Sequence, residues 1–255
     1  FFLFLKYMKT LSKIASYPLT VVFYLFFGIE LVVFEVVQRL MLNVSGYQAH
    51  KKSVDYFNWC IIRNLHVLGT RYTIDMPKDL PINKPVIIAS NHQSMWDIPP
   101  LIWFLRRLHV KFISKIELGK GIPSISYNLR KGGSVLIDRK DSEQATQQIK
   151  DIAHYISENN RSVVIFSEGT RSRDGRPKPF KRKGLLTLIE NAPDAYVLPV
   201  SMSNSWKLQR YGMFPMPLGT HFKIKVHSPL KISDFETEDL LNKIETTVVS
   251  EIKND

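Results

Sequence analysis

The sequence predicts an α/β fold: a mixed, mostly parallel sheet flanked by helices, preceded by an apolar helical segment. Three observations carry that reading. Short β-branched runs bounded by turn residues recur along the chain: "RYTID" (71–75), "VIIAS" (86–90), "HVKFIS" (109–114), "SVLID" (134–138), "SVVIF" (162–166) and "AYVLPVSM" (195–202). Helical patterns separate several of these runs. Strands alternating with helices build parallel pairs, because parallel neighbours need a crossover connection.

The elements follow in order. Residues 1–42 are the most apolar part of the chain. Residues 51–68, "KKSVDYFNWCIIRNLHVL", read as an amphipathic helix leading into the globular part, so the chain divides into an apolar helical anchor at 1–50 and an α/β domain at 51–255. After the first strand, "MPKDLPINKP" is a turn. "DIPPLIWFLRR" (97–107) is a helix whose prolines are tolerated at its start. "GIPSISYNLRKGG" (121–133) is helical and ends in glycines, and "DSEQATQQIKDIAHYISENN" (141–160) is a helix with an acidic first turn. "SEGTRSRDGRPKPFKRKG" (167–184) reads as a polar loop, "HFKIKVHSPL" (221–230) as a late edge strand, and "ETEDLLNKIETTVVSEIK" (236–253) as the last helix.

The apolar start has its own logic. "LTVVFYLFFGIELVVFEVV" (19–37) has 19 residues, marginal for crossing a bilayer, and carries Glu30 and Glu35, which are costly in lipid. Lys6, Lys9 and Lys13 precede it; Arg39, Lys51 and Lys52 follow it. Basic flanks on both sides give no direction of insertion and suit two ends on the same cytoplasmic face. A helical hairpin lying in one leaflet is expected, with Pro18 and Gly28 as break points.

A net charge of +12 calls for an acidic partner: nucleic acid, anionic lipid or a phosphorylated substrate. The cations gather at strand ends rather than in recurrent basic–aromatic patches, which argues against nucleic acid. A single cysteine, Cys60, excludes a disulfide framework and a cysteine-rich zinc site, and no metal-ligand spacing is present.

Chemistry concentrates where strands empty into polar elbows, the edge at which open α/β sheets bind ligands. In "ASNHQSMWD" (89–97), His92 follows a strand and Asp97 opens a helix five residues later. The pattern alone is weak: about a third of one such His–Asp match is expected by chance in this composition. An elbow, however, can fold the carboxylate back onto the imidazole, fix its tautomer and leave the other nitrogen free to take a proton. No G-x-S-x-G nucleophile elbow exists, so His92 is read as a general base on a substrate hydroxyl. The bland readings are a structural histidine and a helix-capping aspartate. In "FSEGTRS" (166–172), Gly169 permits a tight backbone, Thr170 and Ser172 offer hydroxyls, and Arg171 offers a guanidinium fork for phosphate. Glu168 pairs with Arg171 in the bland alternative. Lys115 and Arg139 are further cations at strand ends.

These blocks together resemble the lysophosphatidate acyltransferases within the glycerolipid acyltransferase superfamily. The family's N-H-x-x-x-x-D matches Asn91, His92 and Asp97; its glycine–strand–arginine block matches Gly133 and Arg139 in "GSVLIDR". Its F-P-E-G-T-R-S block matches Glu168, Gly169, Thr170, Arg171 and Ser172, with Ser167 where the family usually has proline. A proline-centred strand matches Pro199 in "VLPVS", and "SKIEL" carries Lys115. The resemblance implies an α/β acyltransferase fold and direct transfer from an acyl thioester to the sn-2 hydroxyl of 1-acyl-glycerol-3-phosphate. His92 and Asp97 would be catalytic, and Glu168, Gly169, Thr170, Arg171, Lys115 and Arg139 would bind substrate. The implied partners are a lysophospholipid acceptor, an acyl-CoA or acyl carrier protein donor and an anionic membrane surface, with no cofactor beyond the donor and no nucleic acid. The expected location is the cytoplasmic face of the (inner) membrane. The motifs leave open another lysophospholipid, a lyso-aminolipid or glycerol 3-phosphate as acceptor. A hydrolase using the dyad on water is the rival enzyme class, and a basic membrane-binding module the non-enzymatic one.

Overall fold

The computed structural model describes residues 2–253. Eight strands form the sheet: β1 (Arg71–Asp75), β2 (Val86–Ser90), β3 (Val110–Lys115), β4 (Val135–Ile137), β5 (Ser162–Phe166), β6 (Tyr196–Ser203), β7 (His221–Val226) and β8 (Leu230–Lys231). Their order is β1-β7-β6-β2-β5-β3-β4, with β8 beside β6. β6, β2, β5, β3 and β4 run parallel, so their carboxyl ends share one edge; β7 and β8 run antiparallel to β6. The mixed, mostly parallel sheet is the expected one.

Two local expectations need correction. The late strand is internal, between β1 and β6, and breaks off before β8. Its inward residues Phe222, Ile224 and Val226 alternate with half-exposed Lys223 and Lys225, and that one solvated face gives an internal strand the look of an edge. The expected loop over 167–184 ends sooner, because a helix, α5 (Arg182–Asn191), begins inside its basic tail. The remaining helices are α1 (Phe2–Leu65), α2 (Ile98–Phe104), α3 (Ile125–Lys131), α4 (Ser142–Asn159) and α6 (Thr237–Ser250). Asp141 caps α4 through the amides of Glu143 and Gln144.

The period-2 alternation of the strands sorts the core into two layers. Ile87, Ala89, Val163, Ile165 and Val197 face α4, α5 and α6. Val86, Ile88, Val164, Leu198 and Val200 face α2 and Val54 of α1.

α1 is a hairpin. Its outer arm turns sharply at Gly46 (φ 73°, ψ −166°), and the return arm runs back along it. Asn64 donates to the Phe23 carbonyl at 3.0 Å, and the Phe34 and Phe57 rings lie 5.3 Å apart. The helix runs through Pro18 and Gly28 without a break, so neither is the turning point. Ser16, Thr20, Phe23 and Gln38 on the inner face are fully buried, while Val21, Leu25, Ile29, Val32, Val36, Leu40 and Val44 form an exposed apolar stripe at helical spacing. Such a stripe marks membrane association. The glutamates do not enter it. Glu35 accepts from Arg39 Nε at 2.7 Å and from the Ser124 amide at 2.6 Å, and Glu30 is turned toward Asn64. Lys6 and Lys9 fall outside the described side chains.

Gly46 holds a backbone region that only glycine occupies without strain, at about 1–3 kcal/mol for any other residue. Gly28 sits mid-helix, where alanine is worth about 0.8–1.0 kcal/mol over glycine, and a Cβ there meets nothing within 4 Å. Thermal unfolding in one detergent should therefore show Gly46→Ala lowering the midpoint and Gly28→Ala raising it. Equal shifts would place the turn elsewhere.

Candidate active site

β2 and β5 are neighbours whose exits diverge. The chain leaves β2 toward α2 and β3 on one side of the sheet, and leaves β5 toward α5 and β6 on the other. A crevice opens between two such exits at the carboxyl edge. His92 follows β2 and Glu168–Arg171 follow β5, so the two polar elbows form its walls.

The first elbow is fixed by hydrogen bonds. Asn91 spans to β6, donating Nδ2 to the Met202 carbonyl at 2.9 Å and accepting from the Met202 amide at 2.7 Å. Ser94 caps the 3₁₀ turn Met95–Asp97, accepting from the Trp96 amide at 3.1 Å. Asp97 closes the capping box: its Oδ2 accepts from the Ser94 amide at 3.0 Å and from the Gln93 amide at 2.7 Å. The same Oδ2 lies 2.8 Å from His92 Nδ1. Ser205, from the 3₁₀ turn after β6, donates to Oδ1. With Nδ1–H given to the carboxylate, Nε2 is the bare nitrogen, and no protein group bonds it among the described residues. The ring stacks on Phe166, the last residue of β5, at 3.9 Å between centroids. His92 keeps 17% side-chain exposure while Asp97 has none, the arrangement of a base that reaches substrate and a partner that does not.

The second elbow packs against the first. The Ser172 amide donates to the His92 carbonyl at 2.7 Å, and the Ser167 amide to the Ser90 carbonyl at 3.2 Å. A proline at 167 could not make the latter bond, so the departure from the family pattern adds a tie between β2 and the loop. Gly169 adopts φ 71°, where a Cβ would come within 3.0 Å of the Lys181 side chain. Arg171 is exposed; its Nη1 reaches Gln209 Oε1 at 3.5 Å, and its carbonyl accepts from Lys178 at 2.9 Å. No ion pair joins it to Glu168, which is buried instead. Neither Glu168 oxygen has a partner at hydrogen-bond geometry. Burial pushes its carboxyl up to about 7, although the nearby His92 and Lys178 amides and the Lys178 charge pull the other way.

Lys115 and Arg139 end β3 and start the turn after β4, exposed on the same edge. Their strands sit further along that edge than the dyad. At about 4.8 Å per strand, β3 lies roughly 10 Å from β2 and β4 roughly 14 Å. Thr170 points outward and accepts from Lys178 at 3.1 Å. The contributions of Ser205, Gln209 and Met202 lie more than a hundred residues from the elbow in sequence, and no local pattern signals them. Among the described residues no cluster of ligating side chains could hold a metal ion.

With this geometry in place, the comparisons are specific. Residues 71–203, just over half of the chain, match the family model described as Acyltransferase. A 1-acyl-sn-glycerol-3-phosphate acyltransferase of Cocos nucifera is 28% identical over 180 residues, 70% of this chain and 56% of that protein. Its namesake in Borreliella burgdorferi is 27% identical over 200 residues, 76% of each. The chain spans about half the length of several curated relatives it matches. The crystal structure of the 1-acyl-sn-glycerophosphate (LPA) acyltransferase PlsC from Thermotoga maritima superposes with a TM-score of 0.78 at 24% identity, covering 94% of this chain and 95% of that one, and so shares the fold.

The Glu168 shift makes a pH prediction. Its folded value lies above the usual carboxylate value, so the neutral form stabilises the fold at low pH, and that contribution is lost as pH rises from about 4.5 through about 7. Glu168→Gln should match the wild type at pH 4 in chemical unfolding. It should gain on it by up to about 1 kcal/mol per pH unit between pH 5 and 7. Parallel pH profiles would mean that Glu168 ionises freely.

Proposed function

The chain belongs to the Acyltransferase family, and we propose from that premise that it transfers a fatty acyl group from an acyl thioester to the sn-2 hydroxyl of 1-acyl-glycerol-3-phosphate, giving phosphatidic acid for phospholipid synthesis. The observation that carries the reading is the His92–Asp97 pair, held at 2.8 Å on the carboxyl end of β2 and facing a cation-bearing loop. His92 Nε2 takes the proton of the acceptor hydroxyl as its oxygen attacks the thioester carbonyl. The tetrahedral intermediate collapses, the C–S bond breaks, and the leaving thiolate takes the proton back from the imidazolium. Asp97 holds the ring and its tautomer through both transfers. Arg171 offers the acceptor phosphate a planar fork. Burial raises the Glu168 carboxyl to about 7, and in its neutral form it can donate a hydrogen bond to a phosphate oxygen instead of repelling it. Lys115 and Arg139, one and two strands beyond β5, suit the more distant charges of an acidic donor, acyl-CoA or acyl carrier protein.

The hairpin supports a monotopic arrangement, and the basic residues on both flanks of its apolar segment suit the cytoplasmic face. The outer arm, at 1.5 Å per residue, is roughly 65 Å long, about twice the hydrocarbon thickness. Its inner face is covered by the globular body from Ser16 to Gln38, which a bilayer crossing would force into lipid. An arm lying in the leaflet leaves the acyl chain of the acceptor in the bilayer while its hydroxyl reaches His92.

A panel of lysolipid acceptors with one labelled thioester, read by product mass, tests the activity. Phosphatidic acid should dominate, and His92→Ala should lower turnover by about 10²–10⁴-fold while remaining folded. Free fatty acid without acceptor would make the protein a hydrolase, and near-normal turnover in the variant would sink the mechanism. In a Cys60→Ser background, cysteines at the exposed polar positions Thr10 and Gln48 should label from the cytoplasmic side together; labels on opposite faces would mean a true crossing.

A further inference from the structure

The loop between the 3₁₀ turn Ser205–Gln209 and β7 is anchored at both ends and bare in the middle. Leu208 and Met216 are fully buried, in the cluster that holds Phe23, Phe57, Leu65 and Trp96. Between them residues 210–214 are all exposed. Tyr211, Met213 and Phe214 keep 43%, 47% and 48% of their surface. A single exposed apolar residue calls for no explanation, but three on one loop tip do. Connections that face water are usually built from glycine, proline, asparagine, aspartate and serine instead.

The tip is fastened to the outer arm of α1. The Met216 amide donates to Thr20 Oγ1 at 2.9 Å, and the Tyr24 hydroxyl to the Met213 carbonyl at 2.7 Å. Phe214 meets Tyr17 edge-on at 5.5 Å between centroids, and the Lys13 ammonium lies 4.9 Å over the Tyr211 ring. Lys13, Tyr17, Thr20 and Tyr24 recur at spacings of three and four, so the loop runs along one flank of that helix. Tyr17 is exposed and stands one turn before Val21, where the exposed stripe begins. Phe214 therefore widens the stripe sideways, and arm and loop present one continuous apolar surface. The tip also stands at the rim of the crevice: Gln209 donates Nε2 to Met213 Sδ at 2.9 Å, and its Oε1 meets the Met95 amide and Arg171. Aromatic rings with Lys13 and Arg210 beside them have the make-up of side chains at headgroup level, where rings sit at the acyl boundary and cations among phosphates. Three half-exposed side chains supply only a fraction of the roughly 800 Å² per partner of a stable protein interface. A leaflet covers tip and stripe together.

We propose that loop 210–214 is a second membrane-contacting element, with Tyr211, Met213 and Phe214 seated in the headgroup–acyl boundary of the leaflet in which the outer arm lies. A single helix in a leaflet is free to roll about its axis. The loop adds a contact off that axis, fixes the roll and holds the mouth of the crevice against the lipid. The placement builds on the leaflet reading of α1, and the test separates the two.

The test uses the full chain in the Cys60→Ser background, carrying an environment-sensitive fluorophore on one introduced cysteine. Vesicles are phosphatidylcholine with phosphatidylglycerol, with or without brominated acyl chains. Met213→Cys reports the loop, Leu25→Cys the stripe, and Lys84→Cys the amino edge of the sheet, just before β2. Emission from the Met213 and Leu25 positions should shift to the blue and be quenched by bromine, while the Lys84 position keeps its aqueous emission. Quenching at Leu25 without Met213 would overturn the loop contact and leave the arm in the leaflet. Quenching at Met213 without Leu25 would uphold the loop contact and overturn the placement of the arm. Quenching at neither position would overturn both, and equal quenching at Lys84 would reduce the effect to non-specific adsorption. A Met213 label shielded from aqueous iodide yet untouched by bromine would mean a protein contact, a second copy included, and overturn the lipid occupant. Independently, Tyr211→Ser/Phe214→Ser should weaken partitioning onto unbrominated vesicles by about tenfold, or about 1.4 kcal/mol, with the thermal midpoint in detergent kept. Unchanged partitioning would overturn the proposal.

Discussion

The α/β half of the molecule is organised around one buried carboxylate. Asp97 has no side-chain exposure, and an uncompensated charge there would cost several kcal/mol. Four donors compensate it: the Gln93 and Ser94 amides, His92 Nδ1 and the Ser205 hydroxyl. Satisfying it therefore dictates the shape around it. The two amides force the chain to turn after β2, the imidazole must present Nδ1, and the turn after β6 must come alongside. Helix cap and base-orienting partner are competing readings of Asp97 in the sequence. In the folded chain they are one set of bonds, because the oxygen that accepts from the capping amides also accepts from the ring.

The residue next to that carboxylate joins it to the membrane arm. Trp96 is 2% exposed and packs edge-on against Phe23 at 5.2 Å and Phe27 at 5.5 Å, both on the inner face of the outer arm. The arm is tied further by the Met216 amide to Thr20 and the Tyr24 hydroxyl to the Met213 carbonyl, each about 190 residues apart in sequence. Hairpin and elbow are thus one packed unit, and the position of His92 relative to the exposed apolar stripe follows from this contact rather than from a flexible tether.

Much of this is legible in the sequence where the signal is local. β2 and β5 are mostly apolar runs ended by polar elbows, and burial on both faces is what such runs require. The apolar segment and the amphipathic helix after it were readable, but not that the second is the return arm of the hairpin, nor where the turn falls. Pro18 keeps the helix because its inner-face neighbours are packed, and Gly28 because nothing demands a bend there, whereas Gly46 takes a conformation that only glycine reaches cheaply. α5 hid because its first residues, Arg182 and Lys183, continue a basic loop. Glu168 was legible as a site residue but not as a buried carboxyl, since burial depends on strands that the motif does not contain. Ser205 and Asn91–Met202 had no signal at all, being products of the β6–β2 pairing.

That pairing also explains why one base faces so many cations. Strand order puts β2 at the point where connections diverge, with β6, β7 and β1 on one side and β5, β3 and β4 on the other. β5, β3 and β4 run parallel to β2, so their exits fan out from His92 in steps of about 4.8 Å. Each exit carries a cation: Arg171 first, then Lys115, then Arg139. A single phosphate spans one such step, not three. In the proposed reaction the fan suits two anionic reactants side by side, one next to His92 and the other along the edge. On the other side the exit of β6 carries Ser205 and Gln209, which bind the protein's own groups, Asp97, Met95 and Arg171. The edge is thus divided by the sheet itself: the cations lie on the β5 side, and His92 is positioned through Asp97 from the β6 side.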